Sequence, residues 1–231
     1  MTKLSIIIPV YNEENTISEV IEKIKNIEIK NIQKEIIIVD DCSTDRTKDI
    51  LKKLNKSIRV AYHKKNIGKG AAIRTGLRLA TGDIILIQDA DLEYSPKEYP
   101  KLLKPLLEDK ADVVYGSRVE AIRKNMKNMY KLHYIGNLFL TLITNLLYGA
   151  KITDMETGYK AFRREVIESI YLKSNRFEFE PEITAKILKK GFKIHEVPIN
   201  FVGRKFEEGK KITWVDGVKA VYYLIKYRFV D

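Results

Sequence analysis

At 231 residues, with 45% hydrophobic and 32% charged side chains, the chain is long enough to bury a full core, and its composition excludes disordered and fibrous classes. A single cysteine, Cys42, excludes an internal disulfide and a cysteine-built zinc centre, and fits a reducing compartment. The net charge of +11 is uneven: residues 1–117 hold 20 basic and 18 acidic side chains, and residues 118–231 hold 22 and 13, so an anionic partner is expected on the second half.

In chain order, residues 4–10 are an apolar run that predicts a strand. Asn15 is placed to cap a helix whose Ile17, Val20, Ile21, Ile24 and Ile27 fall on one face. Residues 35–40 predict a second strand, ending at Asp40 and Asp41, and Ser43 or Thr44 caps a helix with Ile50, Leu51 and Leu54 inward. A third strand is expected at 58–62, a helix at 70–80 with Gly82 at its end, and a fourth strand at 84–88. Pro96 opens a helix running to about Glu108, and residues 113–115 predict a short fifth strand. This alternation predicts an α/β fold with a mostly parallel, doubly wound sheet.

The second half reads differently. Residues 118–131 form a basic linker, and 132–150 a very apolar helix whose Asn137, Thr141, Thr144 and Asn145 share one face. Residues 154–158 read as a loop, 165–170 and 181–190 as helices, and 193–201 as a strand. Residues 203–211 are a basic, glycine-containing loop, and 214–228 close the chain as an aromatic, Lys/Arg-bearing helix. The whole chain, 1–231, reads as one domain of two halves, divided at residue 117.

The fourth predicted strand stops at Asp89 and Asp91, with Ala90 between them. Ligands collect just past the carboxyl ends of parallel strands. Two carboxylates there repel each other unless a cation lies between them, which points to a hard divalent metal that brings a substrate's phosphates with it. The competing reading is an aspartate capping the next helix beside a solvated one. His63, His133 and His195 lack ligand spacing and read as structural. Residues 66–72 lack the spacing of a P-loop, so ATP hydrolysis is not expected.

Four stretches together resemble family 2 glycosyltransferases of the nucleotide-diphospho-sugar transferase (GT-A) fold: Ser5-Ile6-Ile7-Ile8-Pro9-Val10-Tyr11-Asn12-Glu13-Glu14, Val39-Asp40-Asp41-Cys42-Ser43-Thr44-Asp45, Asn66-Ile67-Gly68-Lys69-Gly70 and Asp89-Ala90-Asp91. In the second half, Gly116-Ser117-Arg118, the 154–163 segment, Phe177 to Glu182, Glu196-Val197-Pro198 and the Arg204 to Lys210 loop are similar to the dolichyl-phosphate mannose synthase group and other polyprenyl-phosphate glycosyltransferases. The resemblance makes residues 1–117 the nucleotide-sugar half and 118–231 the acceptor and membrane half, with C-terminal amphipathic helices.

The resemblance implies that Pro9, Tyr11 and Glu13 line the nucleotide pocket and that Asp41 contacts base or ribose. Gly68 and Gly70 are expected to let backbone approach the donor closely, with Lys69 near its charge and Ala90 against the sugar nucleotide. Asp89, Asp91 and Glu93 are the implied ligands of Mg2+ or Mn2+; some relatives carry Gln at the third position. The catalytic pair is Asp91 with Arg118. GDP-mannose or UDP-glucose is the expected donor.

A polyprenyl phosphate acceptor arrives largely ionised, since the second pKa of a phosphate monoester is about 6. It needs cations more than a base, and Arg118, Arg204 and Lys210 are the candidates. Two departures touch this acceptor side: the loop reads Glu208-Gly209-Lys210-Lys211, and Lys131 or His133 stands where relatives carry a further Arg. A hydroxyl acceptor is the alternative, with Glu180 or Glu182 as base. Residues 132–150 and 214–229 are expected at a membrane interface. No stretch reaches the roughly 20 apolar residues of a spanning helix and no signal peptide is evident. Peripheral attachment on the cytoplasmic face, with a possible membrane protein partner, is therefore expected. A basic nucleic-acid-binding protein is the rival of another class, disfavoured because no known module appears.

Overall fold

The computed structural model describes residues 1–54, 57–124, 131–203 and 214–230. Seven strands form one sheet in the order β3-β2-β1-β4-β6-β5-β7. They are β1 (Thr2–Val10), β2 (Ile32–Asp40), β3 (Ile58–Tyr62), β4 (Ile84–Ile87), β5 (Val113–Ser117), β6 (Lys160–Arg163) and β7 (Ile194–Pro198). Strands β1 to β4 run parallel, with Ile7 of β1 opposite Ile37 of β2 and Ile87 of β4. Strand β6 lies antiparallel between β4 and β5, and β5 pairs parallel with β7.

The apolar runs are continuous because both faces of the sheet are covered. Leu4, Ile6 and Ile8 of β1 pack with α1 (Ile17–Asn26) and α4 (Tyr99–Leu107) on one side. Ile7 points the other way, toward α3 (Lys69–Leu79), α7 (Arg164–Glu168) and α8 (Phe179–Lys189). Each of these isoleucines is 0% exposed, and a side chain buried this completely contributes roughly 1.5–3 kcal/mol. A third, smaller cluster joins α6 (Lys131–Tyr148) to α9 (Trp214–Phe229) through Leu140, Ala220 and Leu224. Helices α2 (Thr47–Lys52) and α5 (Val119–Lys124) complete the set, and a 3-10 turn, Pro96–Glu98, precedes α4.

Several expectations are corrected. Strand β6 falls where the sequence shows only the end of a loop, and part of the supposed basic linker is α5. Thr16, not Asn15, precedes α1, and its hydroxyl bonds the Glu13 carboxylate instead of the helix amides. Ser43 and Thr44 do not cap α2, which starts after Arg46; they tie the β2 loop to Asn12. Gly82 does not terminate α3. It is buried where a Cβ would come within 2.6 Å of the Ser5 nitrogen, so close strand approach explains it.

Candidate active site

The carboxyl ends of β1, β2 and β4 open onto a cavity of about 400 Å³. Pro9 is the penultimate residue of β1 there, with Tyr11 and Glu13 in the turn beyond the strand; Asp41 follows β2, and Asp89, Ala90, Asp91 and Glu93 follow β4. Lys69, opening α3, and Arg118, following β5, also line it. Arg204 and Lys210 lie outside the described residues. His133 is not among the residues lining this cavity.

The first two loops clasp each other. The Ser43 hydroxyl accepts the Asn12 amide at 2.9 Å, Thr47 accepts the Glu13 amide at 2.9 Å, and the Thr44 amide donates to the Asn12 side chain at 2.8 Å. Asn12 has φ 56°, a left-handed conformation that Asn tolerates better than most residues. Asp41 is 3% exposed, and its carboxylate accepts the amides of Ile67 at 2.9 Å and Gly68 at 2.7 Å. The His63 ring lies 2.7 Å away and reaches Thr75 at 3.0 Å on its far side. Asp41 therefore holds the 66–70 loop to the sheet while its edge faces the cavity.

The glycines of that loop lie against another part of the chain. A Cβ on Gly68 would come within 2.5 Å of the Asn175 carbonyl and 2.6 Å of the Arg176 side chain; on Gly70 it would meet the Ser174 carbonyl at 2.6 Å. They admit the 174–176 segment of the same chain. Lys69 likewise has partners already: its ammonium stands 2.8 Å from Asp89 and 3.2 Å from Glu180. Burial opposes that charge, but the two carboxylates outweigh burial and raise the lysine above its ordinary pKa.

Asp91 and Glu93 sit on a tight turn. The Asp91 carboxylate accepts the Glu93 amide at 3.1 Å, and Leu92 between them has φ 63°, a strained conformation for leucine. Gly158 closes the other side of Asp89, because a Cβ there would overlap the Asp89 carboxylate. Among the described residues, no three His, Cys, Asp or Glu side chains are gathered closely enough to hold a metal by themselves. The chemistry of the donor set nevertheless fits Mg2+ or Mn2+: hard carboxylate oxygens around a cavity, with room for a substrate's phosphate oxygens to complete the shell.

Arg118 is 6% exposed and forms a two-pronged pair with Asp154, Nε to Oδ2 at 2.8 Å and Nη2 to Oδ1 at 2.7 Å. The Arg118 amide also donates to Asp154 at 2.8 Å, and Asn137 of α6 donates to it at 2.8 Å. Burial raises the Asp154 carboxyl, but Arg118 outweighs it and holds the pKa below the ordinary value. The guanidinium expected to meet an acceptor phosphate is thus already paired with a carboxylate.

Glu182 is corrected as a base candidate. It is 0% exposed, does not line the cavity, and holds the Lys173 and Ser174 amides and the Lys186 ammonium. Glu180 does line the cavity, but one oxygen faces Lys69 and the other Lys160. Among the lining residues that escaped sequence reasoning as site residues are Glu156, Tyr94 and Arg176. Glu156 is partly exposed, yet one carboxylate oxygen is enclosed with no hydrogen-bond partner. Burial first, then the charge of Glu180, push its pKa up to about 7.

The profile of glycosyl transferase family 2 matches residues 5–171. The chain belongs to this family. It is 33% identical to the UDP-N-acetylglucosamine--dolichyl-phosphate N-acetylglucosaminyltransferase of Methanococcus voltae, over 95% of the chain and 94% of that protein. It is 32% identical to the dolichol-phosphate mannosyltransferase of Pyrococcus furiosus, over 97% of the chain and 64% of that protein. Among solved structures, glucosyl-3-phosphoglycerate synthase from Mycobacterium tuberculosis, in complex with Mn2+, UDP and glucosyl-3-phosphoglycerate, superposes on 100% of the chain and 81% of its own, with TM-score 0.76 and 21% identity. The fold is thus that of a GT-A glycosyltransferase, and relatives of this chain act on dolichyl phosphate.

Proposed function

We propose that this glycosyltransferase moves one hexosyl group, with inversion, from a nucleoside diphosphate sugar to a polyprenyl phosphate at a membrane surface, with Mg2+ or Mn2+ bound. One observation carries the acceptor half of the reading: α6 is amphipathic the wrong way round for a helix packed on a protein core. Its polar face is inward, where Asn137 bonds Asp154, Thr141 accepts the Met155 amide, and Asn145 bonds Ile152 through both side-chain atoms. Its apolar face is outward, with Phe139 56%, Leu142 55% and Leu146 75% exposed. On α9, Val218, Tyr222 and Phe229 are exposed as well. Such a face suits the boundary between lipid headgroups and acyl chains. Among the described residues, no helix is long and apolar enough to cross a membrane; in this reading the attachment is peripheral, on the cytoplasmic side, alone or beside a membrane protein.

The same helix is linked to the cavity wall, because Asn137 of α6 bonds Asp154 and Asp154 bonds Arg118, which lines the cavity. A lipid phosphate held at the foot of α6 would therefore stand beside Arg118. The phosphate oxygen attacks the anomeric carbon as the bond to the departing diphosphate breaks. No carboxylate base is required, which agrees with Glu180 serving as counter-charge to Lys69 and Lys160. Arg204 and Lys210 remain candidates for the same phosphate.

On the donor side, Pro9, Tyr11 and Glu13 receive the nucleoside, with Asp41 and Ala90 beside it. Seven carboxylates and three cations line the cavity, so a diphosphate enters favourably only with positive charge of its own. Asp91 and Glu93, with Asp89, would hold a divalent cation, which when bound supplies Lewis-acid stabilisation of the leaving diphosphate. GDP-mannose and UDP-glucose are the first donors to try, with UDP-N-acetylglucosamine added by the relative from Methanococcus voltae.

The deciding experiment incubates the protein with each donor, Mn2+ and a polyprenyl phosphate in detergent, and identifies the product. An acid-labile sugar-phosphate lipid is expected. An acid-stable glycoside would overturn the acceptor and favour transfer to a carbohydrate hydroxyl.

A further inference from the structure

Three cationic side chains line the cavity, and two are already matched to carboxylates: Lys69 to Asp89 and Glu180, and Arg118 to Asp154. Arg176 is the third. Its guanidinium makes no ion pair among the described residues; its backbone amide donates to Glu178 at 3.2 Å and its carbonyl accepts the Phe179 amide at 3.3 Å. An arginine facing so acidic a cavity without a carboxylate partner has a standing attraction for an anion that enters it.

Its placement is built rather than incidental. The 172–178 segment is clipped to α3: the Ala71 amide donates to the Asn175 carbonyl at 2.9 Å, and Arg74 donates to the Lys173 carbonyl at 2.8 Å and to the Asn175 side chain. The Glu178 carboxylate gathers the Asn175 and Arg176 amides. The Arg176 stem then lies across Gly68, whose missing side chain leaves the room it needs. Gly68 itself is fixed to the sheet through Asp41. Arg176 is thus an exposed side chain at the cavity wall, while the backbone beneath it is held at several points.

We propose that Arg176 grips a phosphate group of the ligand in this cavity, supplying the unpaired cation that Lys69 and Arg118 do not. This inference rests on the reading of the cavity as a phosphate-bearing ligand's site. A guanidinium fork matches two phosphate oxygens at once, whereas an ammonium matches one. The phosphate could belong to the donor diphosphate or to the acceptor monophosphate, and the two sources separate experimentally.

The full chain is compared with Arg176→Ala and Arg176→Lys. Calorimetry measures binding of UDP and GDP with Mn2+, and of uridine and guanosine alone; kinetics with a short polyprenyl phosphate give the acceptor KM. If the donor diphosphate is gripped, Arg176→Ala weakens diphosphate binding roughly tenfold or more, leaves nucleoside binding unchanged, and Arg176→Lys restores it in part. If the acceptor is gripped, the acceptor KM rises by a similar factor with diphosphate binding intact. Unchanged values in both arms would overturn the inference alone. Failure of the unaltered protein to bind either diphosphate would overturn the functional reading and this inference with it.

Discussion

Arg118 and Asp154 meet as fork on fork: two side-chain nitrogens and one backbone amide of the arginine converge on a single carboxylate that is 0% exposed. Removing one member of a buried pair strands the other charge, at a cost of about 3–5 kcal/mol. Asp154→Ala is therefore expected to destabilise the protein by that order, and the double change Arg118→Met with Asp154→Leu by clearly less. Urea unfolding of the two variants and the unaltered protein decides. Equal losses would mean that the arginine escapes to solvent when its partner is gone.

Asp91→Ala should leave the fold intact, since Asp91 borders the cavity rather than the core. Transfer should fall roughly a hundredfold or more, the scale seen when a preorganised electrostatic contact at a reacting centre is lost. Chelation of divalent cations should produce a comparable fall in the unaltered enzyme, reversed by Mn2+ or Mg2+. Activity that persists in the variant without added metal would remove Asp91 from the site.

Glu156 makes stability depend on pH near neutrality. Its carboxyl releases a proton near 4.5 in the unfolded chain and near 7 in the folded one. Between those values the folded state holds the extra proton, so the contribution present below pH 4.5 is lost as pH rises through about 7. Glu156→Gln carries no charge at any pH. It should gain on the unaltered protein by roughly 1–3 kcal/mol between pH 5 and pH 8. A difference that stays constant across that range in chemical denaturation would contradict the assignment.

The outward face of α6 predicts a separable phenotype. Phe139→Asp with Leu142→Asp places charge where lipid would lie, while the buried bonds of Asn137, Thr141 and Asn145 are untouched. Flotation with anionic liposomes should be lost, and binding of a nucleoside diphosphate retained. Unimpaired flotation would move the membrane contact elsewhere.

The part of the cavity proposed for the donor was legible because it follows strand ends. Apolar runs that stop at Pro9, Asp41 and Asp89 can be read from spacing, and parallel pairing then gathers them. Strand β6 was illegible for a physical reason. It is four residues long and starts with Lys160, which is 0% exposed although lysine is almost never fully buried unless paired. Its burial depends on Glu180, twenty positions later and on another element. Glu156 and Arg176 share that obscurity, since nothing local sets either at the cavity that Asp89 lines. The polar stripe of α6 was visible, but which way it faced was not; only the partners Asp154, Met155 and Ile152 turn it inward.

The position of β6 ties the two halves into one cooperative object. Strand β5 belongs to the first half by sequence, yet its neighbours in the sheet are β6 and β7, both from the second. A fragment ending at Ser117 would leave β4 as a bare, wholly apolar border and β5 without a place to dock, an invitation to edge-to-edge aggregation. Swapping acceptor halves between relatives thus requires a graft that keeps residues 160–163 with the host, so that the seam follows the sheet and not the midpoint of the chain.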